Sequence, residues 1–234
     1  MGIHDGHRAR LKAQFAKGGL DALPDVNVLE LLLFYTIPRR DVNPLAHELL
    51  SRFGSLSGVM EAPIEELCQV PGISESTAMH LHLIPQTARR YLNDSADRMH
   101  QLNTIDRVGD YLLPRFFGER DEVVYLLCLD AKCAPIGLRL IARGSVNSAS
   151  VPPRKVVQEA LSANATSVVL AHNHPSGIAL PSAEDHAVTE TIFRALDAVN
   201  VLLADHLIIA GGDYVSLAHN GFIQKLMEES RRGL

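Results

Sequence analysis

Val168-Val-Leu-Ala-His172-Asn-His174-Pro-Ser-Gly-Ile-Ala-Leu-Pro-Ser182-Ala-Glu-Asp185 reads as a strand, a chain reversal and the start of a helix. The apolar run before His172 is of strand length, and a strand sends residues i and i+2 to the same face. His172 and His174 therefore converge if the extended backbone holds through Asn173. Pro175, Ser176 and Gly177 break the strand and turn the chain. Ser182 stands where a helix would begin, and Asp185 lies one turn in, aimed back toward the strand end. Two imidazoles and one carboxylate leave a fourth position open, which is the pattern of a catalytic zinc site and not of a structural one. Ser182 followed three residues later by an acid is also an N-capping arrangement, so that pair alone has two readings.

Outward from this stretch, strands and helices alternate, which predicts an α/β fold. Glu122 to Asp130 is a continuous apolar run of strand length, as expected of a strand covered on both faces. A turn at Ala131 to Pro135 leads to a second strand over 136–143, and Val156 to Ala163 reads as a helix. Ser182 to Asn200 is a long helix. Leu207 to Ala210 and Tyr214 to Leu217 flank Gly211-Gly212-Asp213, a hairpin signal. Asp205 and His206, just before, are either a carboxylate–imidazole pair supporting the site or a helix-exit loop and strand start. A helix near 105–117 precedes the first strand, and the polar stretch 93–104 loses all apolar period and reads as a linker.

Residues 1 to about 92 read as short helices. Asp25 to Leu33 is stopped by Pro38. Asn43-Pro44 opens a helix that Gly54 ends. A third helix follows Pro63, and a fourth runs from Ser74 through Tyr91 with a kink or break at Pro85. His80 and His82 on this last helix repeat the His-x-His spacing. On a helix, however, i and i+2 lie about 200° apart, so they do not chelate one ion. Val70-Pro71-Gly72-Ile73-Ser74 looks like a helix-hairpin-helix loop, whose backbone N–H groups at Gly72, Ile73 and Ser74 would offer themselves to a DNA phosphate. Glu65, Glu66 and Glu75 flank the loop and oppose such contact, so a helical packing unit that merely shares the shape is the competing reading.

Composition sets the outer bounds. The chain has 234 residues, 47% hydrophobic and 21% charged, enough to bury a core in one or two domains. Its net charge is −5, which excludes a strongly basic nucleic-acid binder and makes any DNA contact weak and salt-dependent. Neither half is net basic: residues 1–100 carry 10 basic and 12 acidic side chains, the remainder 12 and 15. Cys68, Cys128 and Cys133 are too few and too scattered for a disulfide framework or a cysteine zinc knuckle. No apolar run approaches the roughly 18 residues of a membrane helix, and the polar N-terminus is not a secretory signal. The expected setting is the cytoplasm.

The run His172-x-His174-Pro, six residues, then Ser182-x-x-Asp185 resembles the JAMM (MPN+) motif of zinc metallopeptidases. The longer text Ala171-His-Asn-His-Pro-Ser-Gly with Pro181-Ser-x-x-Asp185 is similar to the RadC family of bacterial proteins, and the likeness extends over nearly the whole chain, Gly144-Ser-Val-Asn147 included. It implies an MPN/JAB-like mixed sheet flanked by helices (residues 105–234), preceded by a small all-α domain (1–92). It further implies His172, His174 and Asp185 as ligands of one Zn²⁺ per chain, with Ser182 as a transition-state stabiliser. Glu122, at the start of the apolar strand, matches the position of the family's catalytic glutamate. The expected activity is hydrolysis of an amide or isopeptide bond, with a protein or peptide substrate. The alternatives are a DNA-repair or nucleic-acid-processing accessory protein that contacts DNA through the N-terminal helices, and a non-catalytic domain that keeps only the fold. One departure stands out: Val151-Pro152-Pro153-Arg154-Lys155 replaces the Val-His-Pro-Arg-Glu usual in RadC relatives, which puts in doubt that stretch's part in substrate binding but not the metal set.

Overall fold

The computed structural model describes residues 3–144 and 151–233 and resolves two compact units, Met1–Ala88 and Arg89–Leu234. The Gly144-Ser-Val-Asn147 stretch that carries part of the RadC likeness lies largely outside the described residues.

The first unit is helical: α1 (Ile3–Gly18), α2 (Asp25–Thr36), α3 (Asn43–Phe53), α4 (Leu56–Glu61), α5 (Ile64–Leu67) and the start of α6 (Glu75–Ala96). Its core is built from Leu29, Leu33, Leu49, Val59, Leu67 and Leu81. Helix α3 ends at Gly54, whose φ of 82° is a conformation that glycine adopts without strain. Helix α1 has no counterpart in the sequence reading, for a physical reason. It is fastened by polar contacts: His7 to the fully buried Glu30 at 3.0 Å, and the Arg8 guanidinium to the backbone oxygens of Phe34, Ile37 and Arg40. No apolar stripe announces such a helix. Helix α4 is also new, opened by Ser55, whose hydroxyl accepts from the Gly58 N–H.

Pro85 does not break α6, which runs through it to Ala96. Proline withholds one N–H, from the Leu81 carbonyl, and the rest of the ladder is intact. The helix thus extends into the segment read as a linker. The remainder of that segment is anchored too: Ala96 and Leu102 are buried in the second unit's core, and the Leu102 N–H donates to the Cys133 carbonyl. The polar residues between them face outward and mask the two anchors.

The second unit is a five-stranded mixed sheet flanked by helices: α7 (Ile105–Phe116), β1 (Val123–Leu129), β2 (Pro135–Arg143), α8 (Pro153–Ser162), β3 (Ser167–Asn173), α9 (Ala183–Asp197), β4 (Leu202–Ala210), β5 (Asp213–Ser216) and α10 (Phe222–Arg232). Strand order is β2-β1-β3-β4-β5, with β3–β4 the parallel pair. Helix α9 makes the crossover between them, as a parallel connection requires. The apolar run of β1 is explained by two cores. Val124, Leu126 and Cys128 pack toward α8, α9 and α10, while Val123, Leu127 and Leu129 pack toward α7. Strand β3 divides the same way, Val168 and Leu170 against Val169 and Ala171.

Strand β4 is longer than its sequence signal and begins at Leu202, so Asp205 and His206 lie inside it and not in a loop. Its ladder with β3 slips by one residue: Val168 pairs with Leu203 but Val169 pairs with Asp205, leaving Ala204 extra. The bulge reverses which side each later residue faces. Leu203 packs in the α8–α9–α10 core, whereas Leu207, four residues on, packs in the α7 core.

Candidate metal centre

His172 is the penultimate residue of β3, and His174 follows its end, where the His174 N–H still donates to the Ile209 carbonyl of β4. The extended backbone therefore holds through Asn173 and both rings fall on one face. Their Nε2 atoms are 2.9 Å apart. Asp185, in the first turn of α9, brings Oδ1 to 3.1 Å from His172 Nε2 and Oδ2 to 3.5 Å from His174 Nε2. One ligating atom from each residue lies within 4.8 Å of the others, and this is the metal-type cluster found among the described residues.

Ser182 and Asp185 are a full capping box as well: the Asp185 N–H donates to Ser182 Oγ at 3.1 Å and the Ser182 N–H donates to Asp185 Oδ2 at 2.7 Å. The two readings of this pair are thus not exclusive. The box fixes the carboxylate that faces the imidazoles, and the Ser182 hydroxyl donates to Oδ2 at 2.7 Å. Burial by itself would raise the Asp185 carboxyl, but the His172 hydrogen bond and the two from Ser182 outweigh it and hold the group well below the ordinary carboxylate range. Asp185 is 3% exposed and ionised, a buried negative charge turned toward two ring nitrogens.

The His174 ring orientation is set from outside. Its Nδ1 lies 3.1 Å from the Ile178 carbonyl oxygen. A carbonyl only accepts, so Nδ1 carries the proton and Nε2 presents a lone pair to the cluster. The donor set, imidazole nitrogen and carboxylate oxygen, suits zinc and related divalent ions.

Glu122 is half-buried, one residue ahead of β1. Val124 pairs with His172, so continuing that antiparallel register sets Glu122 across from His174 on the same face. Asn173 secures this position, and the sequence reading passed over it. Its side-chain oxygen accepts from the Val123 N–H at 2.7 Å and its amide donates to the Asp121 carbonyl at 2.9 Å, clamping the backbone on both sides of Glu122. An asparagine between two candidate ligands, pointing to the opposite face, was the available signal.

His206 sits beside the cluster, with Nε2 2.9 Å from His172 Nδ1 and Nδ1 2.6 Å from Thr189 Oγ1. Burial pushes its basicity far down, and the neighbouring His172 adds to this, so the ring is neutral. Asp205 does not pair with this ring. Its carboxylate accepts from the backbone N–H groups of His206 and Ala218 and from the Ser216 hydroxyl, tying β4 to the turn after β5. His186 turns away, stacking edge-on against Phe222 with ring centres 4.6 Å apart.

In the helical unit, Gly72 has a φ of 101° and the loop's N–H groups precede α6. Ile73 is buried, and the Ser74 hydroxyl caps the helix by accepting from the Thr77 N–H at 3.2 Å. Pro71, Gly72 and Ser74 of the loop stand open to solvent, while Val70 and Ile73 are buried. The cation beside the loop is Arg40, close enough that a Cβ on residue 72 would lie 3.2 Å from its guanidinium. Arg89 and Arg90, farther along α6, pair with Glu119 and Asp94 respectively.

Fold and cluster together define a JAB-type domain, and the comparisons agree. Residues 102–222 match the family described as RadC-like JAB domain. A UPF0758 protein of Ruegeria pomeroyi is 37% identical over 217 residues, which cover 93% of this chain and 97% of its own length. A UPF0758 protein of Rhodobacter capsulatus is 37% identical over 213 residues, 91% of this chain and all of its own. The chain belongs to the RadC family.

Proposed function

We propose that the protein is a cytoplasmic zinc-dependent hydrolase of the JAMM type that cleaves amide or isopeptide bonds. The observation that carries this reading is the convergence of His172 Nε2, His174 Nε2 and the ionised Asp185 carboxylate. Two ring nitrogens and an ionised carboxylate this close repel unless a proton or a metal cation lies among them, and a divalent ion can bind all three at once. His172, His174 and Asp185 would hold Zn²⁺, which when bound supplies a Lewis acid and a water acidified to a pKa of roughly 7.

The chain's own groups do the rest. Glu122, on the face of His174 and absent from the ligand set, takes a proton from the attacking water and passes it to the leaving amine. Ser182 carries one hydroxyl proton, given to Asp185 in the free protein and available to a developing oxyanion in turnover. A cleft of about 310 Å³ lies along α9, lined by Val151, Pro153, Glu184, Ala187, Val188, Thr191 and Ile192, and the three candidate ligands are not among its walls.

Zinc-loaded protein incubated with cell extract should generate new amino termini or freed lysine amines by mass spectrometry. Glu122→Gln should retain zinc and lose that signal by about 10²-fold or more. Undiminished cleavage by Glu122→Gln would remove Glu122 from the mechanism, and released nucleotides in place of amines would overturn the bond assignment.

A second reading, DNA contact through the Gly72 loop, is favoured by Arg40 beside that loop. Filter binding to plain duplex across salt concentrations tests it: affinity that Arg40→Ala leaves unchanged would eliminate this mode.

A further inference from the structure

Thr189, His206 and His172 form a row of hydrogen bonds whose direction is set at one end. Thr189 Oγ1 is 2.5 Å from the Asp185 carbonyl oxygen, four residues back on α9, and 2.6 Å from His206 Nδ1. A carbonyl oxygen has no proton to give, and a hydroxyl has one. At 2.5 Å the Thr189 proton goes to the carbonyl, since two oxygen lone pairs at that separation repel. Thr189 then has only lone pairs to offer His206, so His206 Nδ1 carries the ring proton. The ring is 2% exposed and its two nitrogens meet a hydroxyl and an imidazole, with no carboxylate among the described residues bonded to either, so it has no counter-charge for a second proton and its Nε2 accepts. His206 Nε2 is 2.9 Å from His172 Nδ1, so His172 Nδ1 is the donor. With Nδ1 committed as the donor to His206, His172 Nε2 is the nitrogen that faces His174 Nε2 and Asp185 Oδ1, and the proton it shares with the carboxylate in the free protein is the one a metal ion replaces.

We propose that this Asp185 carbonyl–Thr189–His206 chain holds His172 in its Nδ1–H form and so presents Nε2 to a metal ion, making Thr189 and His206 positioning residues of the centre. The inference rests on the metal-centre reading above. A ligating imidazole needs its second nitrogen engaged as a donor for its orientation and basicity to be defined. Here the acceptor is a third imidazole, itself oriented from the helix that carries Asp185. The β-bulge at Ala204 makes this possible, because without the extra residue His206 would pair with Ala171 and point into the α7 core, the side that Leu207 now occupies. Both positioning residues are fully buried or nearly so, Thr189 at 0% and His206 at 2% exposure, and water does not substitute for them.

Ring-nitrogen NMR of ¹⁵N-labelled, metal-free protein reads the proton order directly and needs no variant. His206 is expected with Nδ1 protonated and Nε2 bare. The reverse arrangement overturns the proposal. Zinc competition against a chromophoric chelator then reads the consequence. Thr189→Val, which keeps shape and removes the hydroxyl, should weaken zinc by about 10- to 100-fold and release His206 from its single tautomer. Thr189→Ser should restore both. A Thr189→Val protein with wild-type zinc affinity and an unaltered His206 ring would overturn the proposal. Failure of the wild-type protein to take up zinc would instead sink the metal-centre reading, while the His206 nitrogen signals would still decide the proton order.

Discussion

The chain contains two His-x-His pairs, and they have opposite fates. His172 and His174 lie on and just past a strand, on one face, with Nε2 atoms 2.9 Å apart and a carboxylate between helix and sheet to join them. His80 and His82 lie on α6, where two residues of advance turn the side chains to different sides. Among the described residues, neither joins a metal-type cluster. His80 Nε2 and His82 Nδ1 are buried without a hydrogen-bond partner. Spacing in a sequence thus has no chemical meaning until the backbone period is known: a period of 2 brings together the two rings that a period of 3.6 pulls apart.

The largest effect that separates the two pairs is zinc content. His172→Ala or His174→Ala should remove the single zinc measured by elemental analysis after gel filtration, whereas the His80→Ala/His82→Ala double variant should keep it. Equal zinc in all of them would erase the contrast. Next in size, Pro85→Ala adds the missing N–H to α6 and should stabilise the protein by up to about 3 kcal/mol in denaturant unfolding. Zinc content should not change, because a regular helix still holds His80 and His82 apart.

Asn173 tests the strand side. Asn173→Ala strips the clamp from the Val123 N–H and the Asp121 carbonyl and should cost about 1–3 kcal/mol. Turnover should fall further than zinc affinity, since the clamp holds Glu122 and not a ligand. A loss of zinc equal to the loss of turnover would refute that division.

The smallest effect is a slope. His206 is kept neutral in the fold, its basicity pushed down by burial first and by His172 second. As pH falls below the ordinary histidine value of about 6.5, the unfolded chain takes up a proton that the folded ring refuses. Stability of the metal-free protein is therefore full above that value and declines below it, by at most about 1.4 kcal/mol per pH unit from this one group. His206→Gln should flatten the slope. An identical slope in the variant would assign the acid sensitivity to other groups.

Much of the second unit was readable in advance, because its strands announce themselves. β1 is apolar at every position, since odd and even residues face different cores, and β3 runs apolar straight into its histidines. The helical unit was less open. α1 escaped notice because half-buried hydrogen bonds to Glu30 and to the end of α2 hold it, and those partners are far away in sequence. The supposed linker misled for the opposite reason: its polar residues are the solvent side of a helix and a short connection, while Ala96 and Leu102, the two that matter, are isolated.

Within the candidate metal centre the same boundary recurs. His172, His174 and Asp185 are set by local rules, the strand period and the capping distance, which act over a few residues and are written in the order of the amino acids. His206 and Asn173 are not. One depends on a register slip at Ala204 that reverses the faces of β4, and the other on the docking of β1 fifty residues upstream. Local periodicity chooses which side chains share a face, but only the pairing of distant strands determines which faces meet, because that pairing is settled by the packing of two cores at once and not by any one segment.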